Sequence, residues 1–345
     1  TYDYRGGDLE NQTATSGVFT EGEGERANSE RYEIQEILSS SLGGEFEFDE
    51  WTLSVSATYG ETEQDTPYDN FYAFELDDEI PMAYDTSNYY WNVSAGSEFQ
   101  DPDNFEFSET SRGGQLIQEE INVFQADLRR DLFFGDHRGY VKFGAKLIGR
   151  ESTSDQDMIV YDGFDGEDDF LLTQVAAAGD PDFFREVRNG YTFGPYPSYR
   201  QSERFFRDNE SLFEINDSDT VAESYGVDYS VDEDIEAAYV MGSVDIGTLT
   251  VVGGVRVEQT DLAFTAYDVV FVDGDFDGIP PQVKGRKDYT NWMPGLQARW
   301  ALRDDVILRA AWTNTIGRAS YEQNVPFRIF EIEEVHRRLR VELAL

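Results

Sequence analysis

Apolar side chains alternate with small or polar ones along several stretches of the chain. In the segment 51–59, Leu53, Val55 and Ala57 are separated by serines and flanked by threonines, and the same alternation recurs at 140–147, 238–246, 249–260, 296–302 and 306–313. Successive side chains of a β-strand point to opposite faces of its sheet. This period therefore predicts an all-β, antiparallel protein whose strands have one apolar and one polar face.

Two kinds of connection join the predicted strands. Short turns are predicted at 49–50, 135–139, 246–247 and 303–305, and they define four hairpins at about 31–62, 118–153, 236–265 and 288–317. Polar excursions at about 64–113, 151–235 and 266–287 are expected to be long solvated loops, of which the first could hide one more strand pair at 71–76 and 89–95. Short turns at one end of the strands and long extracellular loops at the other are typical of a transmembrane β-barrel. We predict part of such a barrel, with roughly 8–10 strands of a larger one.

Charge and composition exclude several classes of function. The formal net charge is -43, with 70 acidic against 27 basic residues, so the field of the protein repels nucleic acid and no nucleic-acid partner is expected. The chain has no cysteine and only two histidines, His137 in a predicted turn and His336 near the C-terminus. A hydrolase with a nucleophile and a histidine partner is therefore not expected. We predict that the protein is not an enzyme and uses no cofactor.

Three motifs follow one another between residues 249 and 323. A Gly-x-Arg-x-Glu strand is followed by an Asn-aromatic-x-Pro strand, and then by a Leu-Arg-Ala-x-aromatic strand with an Arg-x-x-aromatic turn after it. Their defining residues are Gly254, Arg256, Glu258, Asn291, Trp292, Pro294, Arg309, Arg318 and Tyr321. In this order and spacing, the motifs resemble the barrel of TonB-dependent receptors.

This resemblance implies a location and an activity. It places the protein in the outer membrane of a Gram-negative bacterium, with outer-membrane lipid around the barrel. It implies uptake of a scarce nutrient, namely a ferric siderophore, haem, cobalamin or an oligosaccharide. It also implies energising by the TonB complex, which acts through an N-terminal plug region that this chain lacks.

The resemblance also suggests how the chain is divided. We expect residues 1–30 to be a truncated loop or strand remnant and residues 31–334 to be the barrel segment. Residues 335–345 form an abruptly basic tail that is unlike the family sequence, and our hypothesis is that this tail is not native. The plug and several C-terminal strands of the family are expected to be missing.

Aromatic residues in the predicted loops are candidates for ligand binding, because aromatic rings with polar tips suit sugars and flat iron chelates. These candidates are Tyr89, Tyr90, Trp91, Tyr191, Tyr196 and Tyr199. The sequence also contains an alternation of acidic residues typical of a calcium loop, at Asp273, Asp275 and Asp277. The position of the bidentate glutamate in such a loop is taken by Lys284. This calcium candidate is therefore weak, and no metal site is predicted.

Two other functions remain open from the residues alone. One is a passive porin-like channel of the outer membrane. The other is a soluble, acidic, secreted β-rich binding module, which would pack its apolar strand faces against a second sheet. The surroundings of Leu53, Val55 and Ala57 distinguish the membrane barrel from the soluble module.

Overall fold

The computed structural model describes residues 9–89, 92–178, 194–272, 276, 278–325, 328–333 and 338–342. The strands are β1 (Leu9–Glu10), β2 (Ser16–Gly22), β3 (Glu25–Phe48), β4 (Trp51–Leu76), β5 (Ile80–Asp85), β6 (Asn92–Ala95), β7 (Phe105–Phe134), β8 (His137–Phe164), β9 (Ala176–Ala177), β10 (Tyr196–Pro197), β11 (Phe213–Ile215), β12 (Tyr229–Ile246), β13 (Leu249–Val272), β14 (Gln282–Arg303), β15 (Val306–Thr313), β16 (Arg328–Glu333) and β17 (Arg338–Glu342). The α-helices are α1 (Tyr199–Asn209), α2 (Asp217–Tyr225) and α3 (Tyr321–Asn324), and short 3-10 helices lie at Ser97–Gln100, Pro102–Asn104, Leu172–Gln174 and Glu210–Leu212. None of the helices in these ranges is long and apolar enough to cross a membrane.

One large sheet dominates the fold. Its main path runs in the order β15-β14-β13-β12-β8-β7-β4-β3, while β11 pairs with β8. The strands from β8 to β15 are paired antiparallel, and β16 pairs parallel with the end of β13 and antiparallel with β17. Two small sheets have the orders β1-β2-β5-β6 and β10-β9. The predicted antiparallel all-β fold is confirmed, and its sheet is open within the described residues.

All four predicted turns lie where the sequence indicates them. The chain reverses at 49–50, 135–136, 247–248 and 304–305, and each turn joins two neighbouring strands of the main sheet. Asp49, Gly135 and Gly247 have φ values of 53°, 62° and 62°. Glycine adopts this left-handed conformation freely and aspartate tolerates it, and tight hairpin turns require it.

The long excursions begin later than expected, because the strands run far into them. β4 continues to Leu76, β8 continues to Phe164, and β13 continues to Val272. The predicted strand pair in the first excursion is also corrected: residues 71–76 belong to β4, whereas β6 pairs with β5. In the extension of β8 the buried face begins with Ser152 and Ser154 rather than with large apolar residues, which explains why hydropathy alternation does not reveal it.

Contacts between Cα atoms divide the chain into two units. Unit 1 comprises residues 1–33, 66–114 and 157–224, and unit 2 comprises residues 34–65, 115–156 and 225–345. The expected boundaries at 30 and 334 stay predictions. Within the expected atypical tail, residues 338–342 form β17 and pair with β16.

Unit 1 has a core of packed aromatic rings. Phe170 stacks on Phe205 with 3.8 Å between ring centroids, and Phe107 and Phe213 meet edge to face at 5.2 Å. Charged groups are also held in this unit, because Arg112 contacts Glu203 at 2.7 Å. Burial raises the pKa of Glu203, but hydrogen bonds from Arg112 and from two other side chains outweigh it and leave this pKa lowered.

Many large apolar side chains on the strands of unit 2 lie outside any packed core. Leu53, Val55 and Ala57 are half-buried or exposed, and large apolar residues of the same kind lie exposed along the other strands of the unit. Examples are Leu42, Phe46, Phe124, Phe143, Trp292, Leu296, Trp300, Leu308 and Trp312. A soluble sandwich would bury these side chains between two sheets, so this face is suited to lipid.

Cross-strand pairing arranges these residues in rows, which together form an apolar belt. The row nearest the short turns is Ile246, Leu249, Trp300 and Leu308, and the row farthest from them is Ala238, Val257 and Trp292. At about 3.4 Å per residue, the belt covers about 27 Å of strand. A transmembrane strand tilted by about 45° needs about 9–11 residues, and the belt includes nine residues of β14, from 292 to 300. Leu296 lies in its middle row, opposite Gly253 and Trp312.

We expect Leu296→Arg to prevent assembly in the outer membrane, whereas Gln297→Arg is tolerated. Leu296 lies in the apolar belt, where an arginine near the middle of the bilayer costs about 2–4 kcal/mol. Gln297 is exposed on the opposite face. Heat-modifiable migration of outer-membrane fractions in gel electrophoresis measures the folded fraction of each variant. Equal defects in both variants would contradict the assignment of faces.

Candidate functional site

The face of unit 2 opposite the apolar belt, here called the polar face, holds a network of ion pairs. Its centre is Glu258, whose carboxylate contacts Arg256 at 2.6 Å and Arg318 at 2.7 Å. Arg256 and Glu258 are two residues apart on β13, so they point to the same side of the sheet. These two residues of the Gly-x-Arg-x-Glu motif therefore form an ion pair along one strand.

A second carboxylate, Glu233, extends the network. It lies 3.5 Å from Arg318 and 3.4 Å from Arg150, and it accepts a hydrogen bond of 3.3 Å from the Tyr321 hydroxyl. Arg150 donates to the oxygen of Tyr321 at 3.1 Å and lies 3.5 Å from Glu119. Burial raises the pKa of Tyr321 to about 12, so its hydroxyl keeps the proton that it donates.

The register of the strands brings most of these groups together. Arg150 on β8 lies directly opposite Glu233 on β12, and Glu258 on β13 lies opposite Ala237, two same-face positions further along β12. Arg318 and Tyr321 are contributed by the segment after β15, which returns across the polar face of β12 and β13. The network therefore connects four strands, β7, β8, β12 and β13, to a segment that is distant in sequence.

Pro294 explains where the chain leaves the sheet. In an extended strand, the N–H and C=O of one residue point to the same neighbouring strand. The carbonyl of Pro294 accepts from the N–H of Asn314, just beyond the end of β15, at 3.1 Å. The missing N–H of Pro294 is therefore on the β15 side, where pairing stops at Thr313, and no bond to β13 is lost.

The returning segment is held by packing as well as by charge. α3 begins with a capping box formed by Ser320 and Gln323. Val325 is buried in a small apolar cluster with Val231, Leu262 and Ala266. The segment is therefore fixed on the polar face at its start, by Arg318, and at its end, by Val325.

Both carboxylates of the network are nearly inaccessible to solvent. The residues Glu233 and Glu258 are 5% and 7% exposed. Buried carboxylates are costly unless they are paired and hydrogen-bonded, so each depends on its arginines. Beside them, the side-chain nitrogen of Asn291 is buried and has no hydrogen-bond partner in the described part of the chain.

The other motif residues have varied surroundings. Gly254 lies where strands are close, since a Cβ at this position would be 2.6 Å from the carbonyl oxygen of Val240. Trp292 is 68% exposed in the apolar belt. Arg309 is exposed on the polar face opposite Arg299, and it does not join the network. Glu119, Arg150 and Glu233, by contrast, are network residues that the motifs did not identify.

The candidate ligand-binding aromatics are only partly described. Tyr89 is 90% exposed, and Tyr196 is half-buried in β10, opposite Ala177. Tyr199 begins α1, and its hydroxyl accepts a hydrogen bond of 3.0 Å from Asn70. Three further aromatic candidates lie outside the described residues, namely Tyr90, Trp91 and Tyr191. The same is true of the weak calcium candidates Asp273, Asp275 and Asp277. No group of acidic or histidine side chains suited to a metal ion occurs among the residues that are described.

Comparisons with known proteins agree with this architecture. Residues 200–335 match the model of the outer membrane protein beta-barrel family. Among solved structures, the chain is similar to the ferric-catecholate import receptor Fiu of Escherichia coli K12 in its closed form (9% identity, TM-score 0.38, 88% of this chain and 47% of that one) and in its open form (8%, 0.38, 88% and 51%). It is also similar to the unliganded ferric citrate transporter FecA (12%, 0.30, 86% and 40%). The chain thus spans about half the length of these structures, and no curated protein sequence matches it.

These findings define the class of protein. The matched family and the antiparallel fold of long strands make this chain part of a β-barrel in the outer membrane of a Gram-negative bacterium.

We expect Arg318→Ala to lower the urea concentration at which the chain, folded in detergent, unfolds. The substitution removes a short charged hydrogen bond to the buried Glu258, which is worth about 2 kcal/mol. Arg309→Ala is the matched control, because Arg309 has no ion pair among the described residues. A midpoint for Arg318→Ala as high as that of the control would show that the network does not hold the segment.

Proposed function

We propose that this chain is barrel wall of a TonB-dependent receptor that takes up a scarce nutrient across the outer membrane. The observation that carries the proposal is the two-faced sheet of unit 2, with an exposed apolar belt on one side and ion pairs on the other. Lipid covers the apolar belt, and the polar face lines the interior of the barrel. The substrate classes are those that the motifs imply, namely ferric siderophores, haem, cobalamin and oligosaccharides.

The apolar belt argues against a soluble binding module. Trp292, Leu296 and Trp312 are each more than half exposed. Soluble monomers rarely leave a contiguous apolar patch of such extent uncovered. In an outer membrane, the same patch requires no protein partner.

The polar face favours a gated receptor over a passive channel. A passive channel requires an open lumen, whereas here the segment 314–325 lies across the polar face and is held by Arg318 and Tyr321. Unit 1 has a packed aromatic core and exposes Tyr89, so it offers both a rigid frame and an aromatic contact for a ligand. We propose that the candidate aromatics of unit 1 contact the substrate.

Charge further narrows the substrate. Acidic residues far outnumber basic ones in unit 1, which contains none of the lysines of the chain. A field of this sign lowers the local concentration of polyanions. Uncharged oligosaccharides and positively charged ligands are therefore favoured over polyanionic chelates. The proposed role is transport and not catalysis.

The energy requirement of uptake tests this function. We expect cells that make the intact protein to accumulate a radiolabelled oligosaccharide or cobalamin only while the inner-membrane proton gradient is present. A protonophore or deletion of TonB should reduce uptake to that of cells lacking the protein, while binding to the cell surface persists. Uptake that continues without the gradient would identify a passive channel instead.

A further inference from the structure

A short stretch of β8 is bordered by a helix where a strand would be expected. β11 and β12 both pair antiparallel with β8, but β11 ends opposite Tyr161 and β12 begins opposite Ser154. In the described part of the chain, residues 155–160 therefore have no strand on this side. The chain between β11 and β12 forms α2 instead.

Hydroxyl groups of α2 take the place of the missing strand. The N–H of Val160 donates to the Thr220 hydroxyl at 2.9 Å, and the N–H of Met158 donates to the Ser224 hydroxyl at 3.0 Å. The Ser224 hydroxyl in turn donates to the carbonyl of Met158 at 3.0 Å. Residues four apart on a helix and two apart on a strand have a similar spacing, about 6 and 7 Å. The helix thus covers backbone groups that could otherwise pair with another strand.

Hydrogen bonds, and not apolar packing, hold this helix on the edge. Within α2, whose residues are all described, Ser224 alone is buried. The aromatic core of unit 1, as far as it is described, contains no residue of α2. Elements with few buried apolar contacts open locally at a lower free energy than a packed core. We therefore expect α2 to leave the edge before the core of unit 1 unfolds.

Carboxylates are crowded around α2. Asp162 on β8 and Asp219 on α2 both accept a hydrogen bond from the side-chain nitrogen of Asn216, at 2.7 and 2.8 Å. Asp219 and Glu223 are four residues apart on the helix, and like charges at this spacing destabilise it. Glu223 also lies near the C-terminal end of α2, where a negative charge is unfavourable. The sequence of α2 contains no basic residue.

The protonation of three carboxyl groups is altered by these surroundings. Partial desolvation is the largest cause that raises the pKa of each of them. For Glu109 on β7, the further causes are the negative charges of Asp219, Glu223, Glu25 and Asp162. The pKa of Asp219 is also raised by Asp162, and that of Glu223 by Asp219. Such groups stabilise the closed arrangement fully below their ordinary pKa values, and this contribution is lost as the pH rises through the raised values.

We propose that α2 is a proton-sensitive cover of the edge of β8, closed while the surrounding carboxyl groups are protonated and loosened when they are ionised. Loosening exposes the backbone groups of Met158 and Val160, and an exposed strand edge accepts a further strand. This inference goes beyond the proposed uptake function, since it does not depend on which nutrient is carried or on how transport is energised.

Hydrogen–deuterium exchange of the whole chain, folded in detergent, tests the proposal. Mass spectrometry with fragmentation follows the amides of Met158 and Val160 at pH 5 and pH 7.5, with a chelator present so that no metal ion replaces the protons. After correction for the pH dependence of exchange in free peptides, we expect their protection to fall by at least about threefold at pH 7.5. The amide of Val255 on β13 should keep its protection. Equal protection at both pH values, or an equal fall at Val255, would overturn the proposal.

Neutral variants identify the groups that respond to protons. Asp219→Asn with Glu223→Gln should retain at pH 7.5 the protection that the unaltered chain has at pH 5. Glu214→Gln with Asp217→Asn is the matched control, because it removes the same number of charges beside the same helix. Asp217 lies in the first turn of α2, where a negative charge is favourable, so the control should gain no protection. An equal gain in both double variants would show an effect of net charge alone and would overturn the proposal.

Removal of the two hydroxyls tests whether α2 itself is the cover. Thr220→Val with Ser224→Ala deletes the hydrogen bonds to β8 and keeps the charges. We expect both amides to lose most of their protection at pH 5 as well as at pH 7.5, while the circular dichroism spectrum keeps its β-sheet signal. Protection that survives this change would show that another element covers the edge, and the proposal would fail.

Discussion

The structure depends on an apolar sheet face that no part of the described chain covers. In unit 2, strand after strand presents valine, leucine, phenylalanine and tryptophan on one side, and these residues form continuous rows across the pairing register. Apolar surface of this extent is stable only away from water. Lipid supplies that environment. Because lipid cannot hydrogen-bond to the backbone, the backbone groups must pair with one another, and long antiparallel strands pair them. The lengths of the strands and the tightness of the turns follow from this requirement.

The polar face is organised by a different constraint. Charged groups that are withdrawn from water must be paired, and the network around Glu233 and Glu258 achieves this with Arg150, Arg256 and Arg318. One of these partners comes from the segment after β15. The same ion pairs therefore neutralise the carboxylates of the wall and hold a returning piece of chain on its inner side. Pro294 makes this return possible, because it ends the pairing of β14 with β15 without weakening the pairing with β13.

The parts of the fold that lie in the apolar belt could be predicted from the sequence. In the belt, one face of each strand must be apolar and the other need not be. Apolar residues therefore recur at every second position of the sequence, as at Leu53, Val55 and Ala57. Turn positions were equally clear, because Gly135 and Gly247 supply the left-handed backbone that hairpins need. The Arg256–Glu258 pair could also be predicted, since both residues are on one strand.

The rest could not be predicted, for identifiable reasons. Beyond the belt, strands such as the end of β8 no longer have a lipid-facing side, so small polar residues like Ser152 and Ser154 occupy buried positions and the alternation disappears. The aromatic core of unit 1 assembles Phe107, Phe170 and Phe213 from separate excursions, and spacing in the sequence does not reveal such contacts. Arg150 and Glu233 are opposite one another only through the pairing of β8 with β12.

Single-cysteine scanning of β14 tests the central claim, that the two faces of the sheet meet different solvents. The chain has no cysteine, so one introduced at each position from 296 to 300 carries a nitroxide label at a unique site. Collision rates with oxygen and with a water-soluble nickel chelate are then measured by electron paramagnetic resonance on the intact protein in outer-membrane vesicles. The account predicts that positions 296, 298 and 300 favour oxygen and that positions 297 and 299 favour the nickel chelate. Rates that do not alternate, or that alternate in the opposite sense, would contradict it.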